Sequence, residues 1–98
     1  MKIPKQFQLG GIVWKVEEQQ SVPGAYGACH NGEAKIVLLS SMPKQVKQQT
    51  YCHELTHAIL FSMGKPADQH DEVFVDAFGT FLHQYLLQKW LNSYTLCF

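Results

Sequence analysis

His53-Glu54-Leu55-Thr56-His57 is the stretch of this chain whose residue types and spacing can do chemistry. On a helix, two histidines four residues apart lie one turn apart on the same face, so both rings can reach one metal ion. Glu54 sits about 100° further around, at the rim of that face. From there its carboxylate can hold a water on the metal rather than the metal itself. Two neutral nitrogen ligands with a neighbouring carboxylate base are what a zinc hydrolase needs. The chain holds five histidines in 98 residues, and composition alone yields the pattern roughly 0.01 times per chain. The opposing reading is an ordinary helix with two surface histidines. Against it, Tyr51, Cys52, Leu55, Ala58, Ile59, Leu60, Phe61 and Met63 make the segment apolar nearly all round. Such a helix is buried, and buried imidazoles and carboxylates need partners.

A catalytic zinc takes three protein ligands and keeps one position open. A third histidine at the metzincin spacing requires glycine at position 60 and histidine at position 63. The chain has Leu60 and Met63, which excludes that class. The remaining donor is a carboxylate on the next helix. Glu72 lies near the start of that helix, and the Gly64-Lys65-Pro66 break lets the two helices run antiparallel. Asp76, one turn further on the same face, can accept the second ring N–H of a ligand histidine and fix its tautomer. Gly79 on that stripe lets the helices approach closely. The opposing reading of Glu72 is a first-turn acid favoured by the helix dipole, a role that Asp68 and Asp71 fit better. His70 and Asp71 stay open as rival ligands. His83, roughly 16 Å along the helix from Glu72, reads as a hydrogen-bonded core or interface histidine, and His30 as exposed. Cys52 reads as a small buried hydrophobe. Cys97 is either a tail thiol packed on the surface or a thiolate reaching the zinc.

The elements that must position these groups follow from the pattern. Phe7 to Leu9, Gly10-Gly11 and Ile12 to Glu17 predict a hairpin, with Trp14 in the core. A loop covers Gln19 to Gly27, and Tyr26 to His30 predicts a third strand. Asn31-Gly32 predicts a two-residue hairpin turn into a last strand, Glu33 to Leu39. Ser40-Ser41 reads as a cap for a helix from Met42 to Met63, with Gly64 just past its end. A second helix is expected from Asp71 to Asn92, with Phe74, Phe78, Phe81, Leu82 and Tyr85 as core on its other flank. The expected fold is α+β: a small N-terminal antiparallel sheet of three or four strands packed on two long antiparallel helices.

Length and composition bound the rest. The 98 residues predict one domain, 1–98, with one core. Eight cations cancel eight acids, and every cation is a lysine. A neutral chain without arginine points away from nucleic acid. Met1 to Leu9 has no apolar run of a signal peptide, and no stretch approaches the ~20 apolar residues of a membrane span. Three scattered cysteines read as free thiols in a reducing compartment.

With these residues in place, the chain resembles gluzincin metallopeptidases. His53-Glu54-Leu55-Thr56-His57 followed by Glu72-Val73-Phe74-Val75-Asp76 is similar to that clan's two motifs. The short interhelical loop and small preceding sheet are similar to the compact minigluzincins and to phage and mobile-element peptidases of the ImmA/IrrE type. The resemblance implies a zincin-like minimal domain holding one Zn2+ per chain on His53, His57 and Glu72. It implies Glu54 as general base and Asp76 as the partner of a ligand histidine. It also implies that the strand from Glu33 to Leu39, through Ile36, Val37, Leu38 and Leu39, is an edge that pairs with substrate backbone. The expected activity is zinc-dependent hydrolysis of a peptide or protein, in the cytoplasm of a bacterial or phage-infected cell. Larger gluzincins add a second subdomain, for which this chain is too short. The alternative is a latent or non-catalytic zinc-containing regulatory module acting through the same edge, with the apolar tail Tyr94 to Phe98 blocking the site.

Overall fold

The computed structural model describes residues 1–91 of the chain. It is an α+β fold: a four-stranded sheet packed on two helices. The strands are β1 (Gln6–Leu9), β2 (Ile12–Gln19), β3 (Gly27–His30) and β4 (Lys35–Leu39); the helices are α1 (Lys44–Ser62) and α2 (Glu72–Leu91). The expected tail contacts of Tyr94 to Phe98, Cys97 among them, lie outside the described residues.

The sheet is mixed rather than wholly antiparallel, with strand order β1-β2-β4-β3. β1 and β2 form the expected hairpin, in which Leu9 faces Ile12 across Gly10-Gly11. β4 then lies parallel to β2 and antiparallel to β3. It is therefore an interior strand, which corrects the expectation of an edge at Ile36, Val37, Leu38 and Leu39. Its backbone is bonded on both sides: Leu39 N–H donates to Tyr26 O and Ser40 N–H to Gln19 O, each at 2.8 Å. Ile36, Val37 and Leu38 are buried. An unbroken apolar run is the pattern of a strand covered on both faces. The edge nearest the helices is β3.

The β3–β4 connection also departs from expectation. His30 pairs with Lys35, so the link is four residues, a 3-10 turn at Asn31–Glu33 followed by Ala34 in the left-handed region at φ 49°. Asn31 and Gly32 do not form a two-residue turn, because the left-handed position falls on Ala34.

α1 begins after Pro43 with no side-chain cap from Ser40 or Ser41. It ends as a Schellman motif: Lys65 N–H donates to Leu60 O and Gly64 N–H to Phe61 O, both at 3.0 Å. Gly64 supplies the left-handed residue that this closure requires, at φ 84°. A 3-10 turn at Ala67–Gln69 brings the chain to Asp71. The Asp71 carboxylate accepts from Val73 N–H at 2.9 Å and Phe74 N–H at 3.4 Å, so it caps α2.

The core lies between sheet and α1: Trp14, Ile36 and Leu38 meet Tyr51, Cys52 and Ala58, with Met42 at the join. Phe7 stacks on Trp14 and meets Tyr51 edge-on. α2 lies on α1 along a narrow stripe in which Val75 and Gly79 are buried and Leu82 and Leu86 half-buried. The other flank of α2 is not core: Phe74, Phe78, Phe81 and Tyr85 are exposed. Only one layer of chain contacts α2 among the described residues, so its second apolar face has no neighbour to bury it.

Gly79 sits where the helices cross. A β-carbon there would lie 3.0 Å from His53 Cα and 3.1 Å from His53 N. Both are backbone atoms, so the helices would have to separate. Helix propensity alone favours alanine over glycine by about 1 kcal/mol. Gly79→Ala is nevertheless expected to lower stability by about 1–3 kcal/mol, the usual cost of overpacking, read as a fall in thermal midpoint. A midpoint unchanged or raised would deny the close crossing.

Candidate functional site

α1 projects His53 and His57 from successive turns towards the N-terminal turn of α2, where Glu72 stands. One donor atom from each of these three residues lies within 4.8 Å of the other two. His53 Nε2 is 3.5 Å from Glu72 Oε1, and His57 Nε2 is 3.2 Å from Glu72 Oε2. The two rings have the same polarity, with Nε2 turned inward to the carboxylate and Nδ1 outward. His53 Nδ1 is 3.7 Å from Asp76 Oδ1. His57 Nδ1 is 2.7 Å from His70 Nδ1, and the His70 Nε2–H donates to Lys65 O at 2.8 Å.

These separations test whether the residues fit a metal. Two ligands on a tetrahedral zinc with bonds of about 2.0–2.1 Å stand about 3.3–3.4 Å apart. The 3.2 and 3.5 Å gaps bracket that value, each to a different oxygen of Glu72, and the three donors lie within 4.8 Å of one another, so they can converge on one zinc. The gap of 2.7 Å between His57 and His70 is too short for two nitrogens on one ion. His70 is therefore not a further ligand beside His57 Nδ1 but its hydrogen-bond partner. Asp71 is occupied in capping α2.

Glu54 is buried beside the cluster, one residue on from His53. Burial raises its carboxyl above the ordinary range; His53 opposes that shift and Glu72 adds to it. A carboxyl moved upward in this way is better matched to proton transfer near neutral pH. Burial also lowers the His57 imidazole below its usual value, with Glu72 pulling the other way. The lowered value favours the neutral ring, the form that binds metal.

Two hollows flank Glu54 along the inner face of β3. One, of about 350 Å3, is lined by Tyr26, Gly27, Thr50, His53, Glu54 and Asp76. The other, of about 220 Å3, is lined by Cys29, Glu54, His57, His70 and Glu72 among others. At Gly27 the strand runs against α1 so closely that a β-carbon would lie 2.7 Å from Thr50 Cγ2 and 3.3 Å from Glu54 Cγ. The Cys29 thiol is pushed up to about 12 by burial and then by the Glu54 charge, so it stays protonated beside the site.

Away from the cluster, His83 makes the expected hydrogen bond, its Nε2–H donating to Gln48 Oε1 at 3.1 Å. Cys52 is fully buried and His30 is exposed. Sequence reasoning missed the partnership of His70 with His57 and the place of Gly27 and Cys29 along the hollows. Their only signal was position: His70 directly precedes the acid that caps α2, and Gly27 and Cys29 alternate along one face of a short strand. Among the described residues no helix is long and apolar enough to cross a membrane. Set beside known proteins, the chain matches no family model, no curated protein and no solved structure.

Proposed function

We propose that this chain is a zinc-dependent peptidase of gluzincin type, with one Zn2+ held by His53, His57 and Glu72. The observation that carries the reading is the convergence of one donor from each of His53, His57 and Glu72 to within 4.8 Å of one another, a cluster that one tetrahedral ion can gather. Bound there, zinc would supply a Lewis acid for a peptide carbonyl and a water acidified to a pKa of about 7. Glu54 takes a proton from the attacking water and returns it to the leaving amine. Burial supports this role by raising its proton affinity. Asp76 stands on the Nδ1 side of His53, 3.7 Å away, in place to orient that ring once the gap closes to a hydrogen bond.

The substrate backbone pairs with the free edge of β3, Gly27–His30, rather than with the interior strand at Ile36 to Leu39. Side chains of an extended peptide then fall into the two hollows on either side of Glu54. The free thiols Cys29 and Cys52 suit a reducing compartment, and with the resemblance they support the cytoplasm of a bacterial or phage-infected cell.

The test is a peptide-library digest by zinc-loaded protein, with and without phenanthroline, alongside metal analysis. The expected result is one zinc per chain and cleavage that the chelator abolishes. Zinc without cleavage would replace the peptidase reading by that of a regulatory module binding through β3. A chain that takes up no zinc would overturn both.

A further inference from the structure

We propose that His70 is a positioning residue: a hydrogen-bonded chain ending on the Lys65 carbonyl holds His57 in the tautomer that turns a bare Nε2 into the metal cleft. The inference rests on the zinc reading above and adds a residue to it. The direction of the chain follows from its far end. A carbonyl oxygen can only accept, so His70 Nε2, 2.8 Å from Lys65 O, carries the proton. A neutral imidazole has one N–H, which leaves His70 Nδ1 a bare acceptor. His57 Nδ1, 2.7 Å away, must then supply the proton between the two rings. With Nδ1 protonated, His57 Nε2 keeps its lone pair, and that atom faces Glu72 Oε2 at 3.2 Å.

The loop is built to hold the chain in place. His70 lies against Phe61, with ring centroids 4.4 Å apart, and meets His57 edge to edge, nearly in one plane, with centroids 5.0 Å apart and 17° between the planes. Its backbone N–H donates to Ala67 O at 3.1 Å, closing the 3-10 turn. Lys65, which supplies the terminal carbonyl, is the residue whose N–H completes the Schellman closure of α1. One short segment thus ends α1, caps α2 and orients the second ligand of α1. Partners of this kind fix a ligand ring and raise its basicity.

The experiment uses the full chain, metal-free and with 15N-labelled histidine, at about pH 8, above the ordinary imidazole range. Long-range 1H–15N NMR is expected to find His57 protonated at Nδ1 and bare at Nε2. In His70→Gln the amide can accept from His57 and donate to Lys65 O, so tautomer and zinc affinity should both persist. In His70→Phe the contact with Phe61 stays but the hydrogen bonds are lost. The tautomer signal should disappear, and the zinc Kd, measured by competition with a chromophoric chelator, should rise about 10–100-fold. A proton on His57 Nε2 in the wild-type chain overturns the proposal, and so does His70→Phe with unchanged tautomer and Kd. The wild-type spectrum decides even where His70→Phe does not fold. Failure of the wild-type chain to bind zinc overturns the zinc reading instead, since the tautomer is read without metal.

Discussion

Glu54→Gln is expected to lower peptide hydrolysis by about 10²–10⁴-fold, the usual contribution of a positioned proton-transfer group, while zinc stays bound at one per chain. Glutamine keeps the size and polarity of the side chain and cannot take a proton, so only the base is removed. The same variant has a second signature in the metal-free protein. Burial raises the Glu54 carboxyl in the folded state, against a smaller opposing pull from His53. A group with a raised folded pKa contributes its full stability below the unfolded value and loses it as pH rises through the folded value. Metal-free wild type should therefore fall behind Glu54→Gln in thermal midpoint as pH climbs from the ordinary carboxylate range, and the two should converge in acid. Undiminished hydrolysis in the variant would take Glu54 out of the mechanism. Parallel melting curves at all pH values would deny that its burial carries an energetic cost.

His53→Ala and His57→Ala should each abolish zinc binding, because two remaining ligands hold the ion poorly. Binding at 100 to 1,000 times Kd stabilises a fold by about 2.7–4.1 kcal/mol. For a domain of this size that is roughly 10–30 °C of thermal midpoint, which the zinc-loaded wild type should show over either variant. Acid should mimic the substitutions. Burial depresses the folded pKa of His57, so the stability it contributes is present above its unfolded value and lost as pH falls through the folded one. Metal release and loss of stability should then coincide on acidification. Metal analysis finding one zinc per chain in either alanine variant would reject the ligand set.

The parts of this site that sequence made legible are those written in local spacing. The two histidines and Glu54 fall within five consecutive positions of one helix, and their geometry follows from helical rotation alone. Glu72, Asp76 and Gly79 share a stripe for the same reason, and the stripe meets His53 because Gly64 turns the chain back. Strand order is not local. The pairing of β2 with β4 depends on where the chain goes between them, and the run Ile36 to Leu39 carried the sign of an interior strand that the edge reading passed over. Phe74, Phe78, Phe81 and Tyr85 show a related limit. Periodicity places them on one face, but it does not say whether another layer covers that face. His70 had no pattern at all, because its role depends on the path of the nine-residue return between Ser62 and Glu72.

The parallel seam between β2 and β4 has a consequence for how the molecule assembles. Each hairpin, β1–β2 and β3–β4, joins neighbours in sequence, whereas Val16 meets Ile36 across twenty residues of chain. That seam carries the larger loop-closure entropy and is the slower event to nucleate. The three proposed metal donors all come from the α1–α2 hairpin, so they can gather before the seam closes. Capture of the proposed ion and completion of the proposed peptide-binding edge are then separable steps, and a chain caught between them would hold such a metal with no finished groove.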